Sequence, residues 1–333
     1  MENSKGGIYR YGWIGLLGLL GCDTTPAPLV NTEPHVYAEA SYTVSVTSGI
    51  AYGEGLSHEA WGSGNTTRHT LLLDVYEPED APANRPAMIL IHGGGFQAGS
   101  RTHPALVEHA HYFAARGWVV FSIGYRLLRH LGTVPEAWQT FADQAATAEM
   151  RDVIKATYPA GRDAKAAVRW VYAHAEEYQL ATDYITVLGG SAGAFLSIML
   201  GTTEPEDFRD ELSEAEDPTL STTHLDQPAK VHTIIDYWGA GTLVAGLDSV
   251  YQWRRFDATD APLFIVHGDE DALVPYSEAE TLAQTYQLTG APYRLHRLWR
   301  QSHGAWDAQV NGQTLPELVF AFVVEQQALK IRE

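Results

Sequence analysis

Apolar residues fall into two patterns along this chain. Short unbroken runs bounded by glycine, proline or charge predict buried strands at residues 87–91, 118–123, 184–188, 231–238, 262–268 and 293–298. Apolar positions recurring every three to four residues predict helices at 105–116, 162–178, 194–200, 277–286 and 315–327. Strand and helix alternate, which predicts a mostly parallel sheet of about eight strands with helices on both faces. Before this stretch, residues 42–47 alternate as a strand does, 49–64 read as a glycine-rich loop, and 69–76 as a second strand. An antiparallel hairpin or meander is therefore expected near the start of the domain.

Two segments depart from the rhythm. Residues 125–161 are longer than a strand-to-helix connection requires, and 136–156 are helical in pattern. They read as an insertion, either a lid or a surface helix with no gating role. Residues 202–227 are acidic and contain proline, as a surface excursion would. There is no internal repeat, and 41–333 reads as one domain.

The first 40 residues have a different character. Lys5 and Arg10 precede an apolar run over 12–21, too short to span a bilayer but suited to the core of an export signal. It ends at Leu19-Leu20-Gly21-Cys22, which resembles a bacterial lipobox, with Leu20 where a small or β-branched residue is usual. The resemblance implies that Cys22 is the lipidated first residue of an exported, membrane-anchored protein. Cys22 is the only cysteine, so no internal disulfide can form. Residues 23–40, with three prolines among small polar residues, read as a tether.

At 45% hydrophobic and 19% charged, the composition is that of a globular protein. The formal charge of −19, from 41 acids against 22 bases, argues against nucleic acid and anionic membrane surfaces as partners.

Candidate chemistry sits at strand ends. Gly189-Gly190-Ser191-Ala192-Gly193 lies between a predicted strand and a predicted helix, the arrangement of a nucleophile elbow. His92-Gly93-Gly94-Gly95 follows the strand at 87–91, and its bare backbone could aim amide hydrogens at an oxyanion. The amides of Gly94, Gly95 and Ala192 are the expected donors. His92 is expected to brace that loop. Asp269 and Asp271 follow the strand ending at Gly268, and His303-Gly304 follows the last strand. The order Ser191, acid, His303 suits a nucleophile, an orienting carboxylate and an imidazole base. His103, His109 and His111 are close in sequence, but 109 and 111 do not share a helical face, and H-E-x-x-H is absent, so no metal site and no cofactor are read. Tyr237, Trp238, Trp253, Trp299 and Trp306 are read as pocket lining or core.

Across roughly residues 40–330 these motifs resemble the esterase/lipase branch of the α/β-hydrolase superfamily, near bacterial carboxylesterases with HGGG and G-x-S-A-G motifs. The resemblance implies the α/β-hydrolase fold and ester hydrolysis through an acyl-enzyme. Its H-G-x-x-D-x-x-V-P pattern, laid on residues 267–275, places the catalytic acid at Asp271 and leaves Asp269 a turn or solvated carboxylate. The implied substrate is a small-molecule or polysaccharide-linked ester, with acetyl, feruloyl, lipid and xenobiotic esters all open. Two other readings stand beside this one. The first is an acyl-aminoacyl or dipeptidyl-type peptidase of the same fold, although the N-terminal 40 residues cannot form the extra domain such enzymes carry. The second is a non-catalytic surface-binding lipoprotein.

Overall fold

A computed structural model describes residues 33–332; the leader, Cys22 and residues 23–32 of the expected tether lie outside them. In chain order the strands are β1 (His35–Tyr37), β2 (Val44–His58), β3 (Thr66–Pro78), β4 (Arg85–Ile91), β5 (Val119–Ile123), β6 (Leu180–Gly190), β7 (Thr233–Tyr237), β8 (Leu263–Gly268), β9 (Tyr293–Leu298), β10 (Gln309–Val310), β11 (Gln313–Thr314) and β12 (Lys330–Arg332). The helices are α1 (Pro104–Ala114), α2 (Glu136–Ala142), α3 (Ala148–Ala173), α4 (Ala192–Thr202), α5 (Thr242–Tyr251), α6 (Tyr276–Thr289) and α7 (Leu315–Gln326).

Eight strands form one sheet in the order β2-β3-β5-β4-β6-β7-β8-β9. Only β3 runs against the others, because it pairs antiparallel with both β2 and β5. The fully apolar strands are explained by cover on both faces. On β4, Ala87, Ile89 and Ile91 point to one core with Val168 of α3 and Leu196 of α4. Met88 and Leu90 point to the other core, with Phe113 of α1 and Phe322 of α7. This is the mostly parallel, two-sided α/β-hydrolase architecture.

The same topology fixes where a site can form. β4 lies between β5 and β6, and its following helix α1 covers one face while α4, following β6, covers the other. The loops after β4 and β6 therefore part company and leave a crevice at the strands' carboxyl ends.

Several expectations need correction. Residues 49–58 are not loop but the greater part of β2, which tolerates its glycines because register shifts fall between Thr47 and Ile50 and between Ala51 and Gly53. The 125–161 insertion has no boundary at 161. α3 runs unbroken from Ala148 to Ala173 with Pro159 inside it, so one helix joins the supposed insertion to the sheet cover. α2 is no loose flap either: Trp138 is buried, and its indole N–H donates to the Ile154 carbonyl at 2.9 Å. The expected tether ends before residue 35. There β1 pairs in parallel with β12 and buries Val36 completely, a pairing too short to leave a pattern in the sequence.

The 202–227 segment is bound rather than free. Arg162 pairs with Asp217 at 2.9 Å, Lys165 Nζ donates to the Glu204 carbonyl, and Arg169 Nε donates to the Thr223 carbonyl at 2.8 Å. These three buried cations lie along one side of α3. Among the described residues, no helix is long and apolar enough to cross a membrane.

Candidate active site

The turn from β6 into α4 puts Ser191 at φ 54° and ψ −125°, a conformation that costs a non-glycine residue energy. The turn is held by close packing: a Cβ at residue 193 would run into the Ile91 backbone. The Ser191 amide donates to the Tyr237 carbonyl at 2.9 Å, tying the turn to the end of β7.

His303, on the loop after β9, reaches Ser191. Its Nε2 is 2.9 Å from the Ser191 hydroxyl, and its Nδ1 is 2.7 Å from Asp271 Oδ2. The other Asp271 oxygen accepts the amides of Leu273 and Val274, each at 2.9 Å. Burial alone would raise the Asp271 pKa, but the Val274 amide, His303 and the Leu273 amide together hold it below the usual carboxylate value. An ionised Asp271 keeps the proton on Nδ1. Nε2 is then left to accept the hydroxyl proton of Ser191.

Asp269 stands elsewhere. It accepts from Arg297 Nε at 3.0 Å and from the Arg300 amide at 2.6 Å, joining the loop after β8 to the one after β9. His267 was not foreseen as part of the site. It is fully buried, its Nε2 donates to the Val274 carbonyl at 2.8 Å, and it lies 3.3 Å from Asp271 Oδ2. Burial lowers its pKa, so it braces the acid loop as a neutral ring. The signal was the first residue of the H-G-x-x-D-x-x-V-P pattern.

The glycine loop after β4 lies against this trio. Gly94 has φ 110°, and a Cβ there would strike the Ala98 carbonyl, so glycine is required. Among the described residues the amides of Gly94, Gly95 and Ala192 donate to no protein group, and all three residues line the cleft with Ser191 and His303. His92 Nδ1 donates to the Gly93 carbonyl at 2.8 Å. Its own carbonyl accepts from the Tyr125 hydroxyl at 2.8 Å, and the two rings stack 4.2 Å apart. Burial lowers the His92 pKa to about 4, so it is neutral at ordinary pH. Tyr125, the other half of this brace, gave no signal in the sequence.

The cleft holds about 610 Å³. Trp238 and Trp306 line it, with ring centroids 5.0 Å apart. Trp299 and Trp253 lie outside it, exposed, and Tyr237 is core. His109 is buried against Tyr237 with its pKa lowered to about 4, whereas His103 faces the cleft. Among the described residues no three His, Cys, Asp or Glu side chains are grouped as a metal ion requires. A hollow of about 530 Å³, lined by Lys165, Asp257 and Asp260, lies before β7 and β8 at the opposite end of the sheet, away from Ser191.

A family model described as BD-FAE matches residues 73–141 and 135–255, more than half of the chain. The chain belongs to the BD-FAE family. The BD-FAE match takes in the glycine loop and the Ser191 turn but stops before Asp271 and His303, whose placement rests on geometry. This BD-FAE chain is 26% identical to esterase LipC of Mycobacterium tuberculosis, over 64% of its own length and 51% of that protein's. It is 23% identical to esterase LipQ of the same organism, over 87% of its length and 65% of that protein's. It thus spans between about half and two thirds of these curated relatives. Among solved structures, Thermogutta terrifontis esterase 2 phosphonylated by cyclosarin superposes with a TM-score of 0.58 at 24% identity, covering 83% of this chain and 93% of that one. The apo form of the same esterase gives 0.58 at 23% identity, over 83% and 93% of the two chains. These likenesses show the fold.

Proposed function

We propose that this BD-FAE chain is a serine carboxylic ester hydrolase that works through an acyl-enzyme. The observation that carries the reading is the unbroken hydrogen-bond chain from Ser191 through His303 to Asp271, on the floor of a cleft rimmed by unpartnered amides. Ser191 Oγ attacks the ester carbonyl carbon as His303 Nε2 takes its proton. The carbonyl oxygen becomes an oxyanion held by the amides of Gly94, Gly95 and Ala192, with the α4 N-terminus adding its positive end. Collapse breaks the ester C–O bond, and His303 returns the proton to the departing alcohol. Water, deprotonated by His303, then repeats the sequence on the acyl-serine and releases the acid. Asp271 fixes the imidazole tautomer and stabilises the imidazolium of each step. The names of the relatives, esterases LipC and LipQ, agree with an ester rather than another acyl bond. The substrate class is a small-molecule or polysaccharide-linked ester.

The test is release of p-nitrophenol from short acyl esters by the full chain. Ser191→Ala should lower kcat by at least about four orders of magnitude. Equal rates in the two proteins would end the reading, and a peptide amide cleaved faster than any ester would replace it with the peptidase one.

The leader is read as a lipoprotein signal that exports the protein from a bacterial cell and anchors it through Cys22. The apolar run and the lipobox-like ending support this. Cys22→Ser should move the protein from the membrane to the soluble fraction; unchanged fractionation refutes the anchor.

A further inference from the structure

Beyond Phe96, Val153 and Phe195 the catalytic cleft adjoins a second hollow of about 320 Å³, which shares those three residues with it. Its other walls include Trp138 and Phe141 of α2 and Leu243 of α5. No lining side chain is ionisable. The indole N–H of Trp138 and the hydroxyl of Thr157 are both bonded to the Ile154 carbonyl, so neither is left to greet a polar guest. Such a hollow penalises any charge that enters it.

Its position relative to the catalytic groups says which half of an ester it serves. The departing alcohol takes its proton from His303 Nε2, so it must leave on the His303 side. That side is lined by His303, Leu273 and Trp306, and none of these lines the hollow. The substituent on the other side of the reacting carbonyl is the acyl chain. Phe96 adds a second, independent observation. It follows Gly95 directly and holds φ 60°, strained for a phenylalanine, with its carbonyl accepting the Leu128 amide at 2.7 Å. The strain aims a buried ring edge-on at Phe195, 6.4 Å away, where cleft and hollow meet.

We propose that the hollow behind Phe96, Val153 and Phe195 is an acyl chamber that makes the enzyme prefer uncharged chains of medium length, with Val153 setting the entrance and Phe141 part of the far wall. This rests on the ester-hydrolase reading above. The volume corresponds to roughly ten water-sized units, which suits acyl chains of about six to ten carbons. It also gives the segment around α2 a role. It forms a wall that selects substrate, built by α2 together with the first turns of α3, which runs on into the sheet cover.

The experiment is a p-nitrophenyl ester series from acetyl to dodecanoyl, with the full chain and active-site titration. The readout is the ratio of kcat/KM for octanoyl to that for acetyl, which does not depend on the fraction of folded protein. The wild type should peak at medium length and discriminate strongly against an equally long chain ending in a carboxylate. Val153→Phe should lower the ratio by at least about 100-fold, at about fourfold per methylene excluded. Phe141→Ala should shift the peak to longer chains. A ratio unmoved by both variants, or moved instead by Leu273→Ala on the alcohol side, overturns the chamber while leaving the esterase reading intact. A wild type that cleaves no ester in the series overturns both.

Discussion

Asp271 and Asp236 are two carboxylates hidden from solvent in neighbouring parts of the sheet, and their pKa values end on opposite sides of the usual carboxylate value. Burial pushes both upward. At Asp271 three donors within 2.9 Å, two amides and an imidazole, reverse the push and hold its pKa below the usual value. At Asp236, on β7, burial is opposed among the described residues by the Gly239 amide alone, at 2.7 Å, with Oδ2 unpartnered among them, and its pKa rises to about 7. Burial does not decide whether an acid can serve an imidazole; the number of donors around it does. The first acid is built to stay charged. The second, behind the nucleophile helix, holds its proton until the pH approaches 7.

The sharpest way to break this contrast is to remove the charge where it is held. Asp271→Asn keeps the shape but presents an amide that cannot fix Nδ1 as the protonated nitrogen. It should lower kcat by about 10⁴-fold in the ester assay, and a loss below about tenfold would mean that Asp271 does not orient His303.

His267→Phe is the next largest. It strips the Val274 carbonyl of its donor and removes the buried brace of the acid loop. A loss of about tenfold in kcat is expected with Tm lowered by several degrees, on the scale of one buried hydrogen bond.

Asp236→Asn should act on stability alone. The group ionises near 3.8 in the unfolded chain and at about 7 in the folded one. The folded state therefore holds the extra proton between those values. Its contribution is complete below about pH 4 and lost as pH rises toward 7, an effect of the order of 4 kcal/mol. Urea titrations across pH should show this slope in the wild type and a flatter one in Asp236→Asn, with ester turnover preserved. An unchanged slope would assign the titration elsewhere.

Asp269→Asn is the smallest. This carboxylate serves Arg297 and the Arg300 amide rather than His303. Turnover should change by less than about threefold, the scale of an exposed ion pair.

The catalytic groups were legible because their chemistry demands particular residues at particular spacings. Gly193 must be small beside Ile91, Gly94 must adopt a positive φ, and an acid loop must offer amides to Asp271. What escaped was everything decided by packing across distant segments. Tyr125 braces the site through His92 with no spacing rule to mark it, and His267 stood in the acid-loop pattern without its bracing contacts being readable. Pro159-Ala160-Gly161 reads as a break, yet it lies inside α3 because tertiary packing outweighs the lost amide bond. The glycines of β2 read as loop because sequence shows their flexibility and not the bulges that use it. α5 was missed behind the glycines at 239, 241 and 246, and the surface excursion expected at 202–227 proves to be held by Arg162, Lys165 and Arg169, a contact between segments distant in sequence.

The small pairing of β1 with β12 also has a mechanical consequence. Beyond it, the Tyr37 amide donates to the Arg116 carbonyl at 3.0 Å, and the amides of Ser41 and Tyr42 donate to the Ala115 carbonyl at 2.8 and 3.1 Å. Any tension applied at residue 33 would meet these bonds one after another before it reached β2. Placed in series ahead of β2, they would act as a cable clamp, taking a pull on the incoming strand before it reached the serine, the imidazole and their cradle of amides.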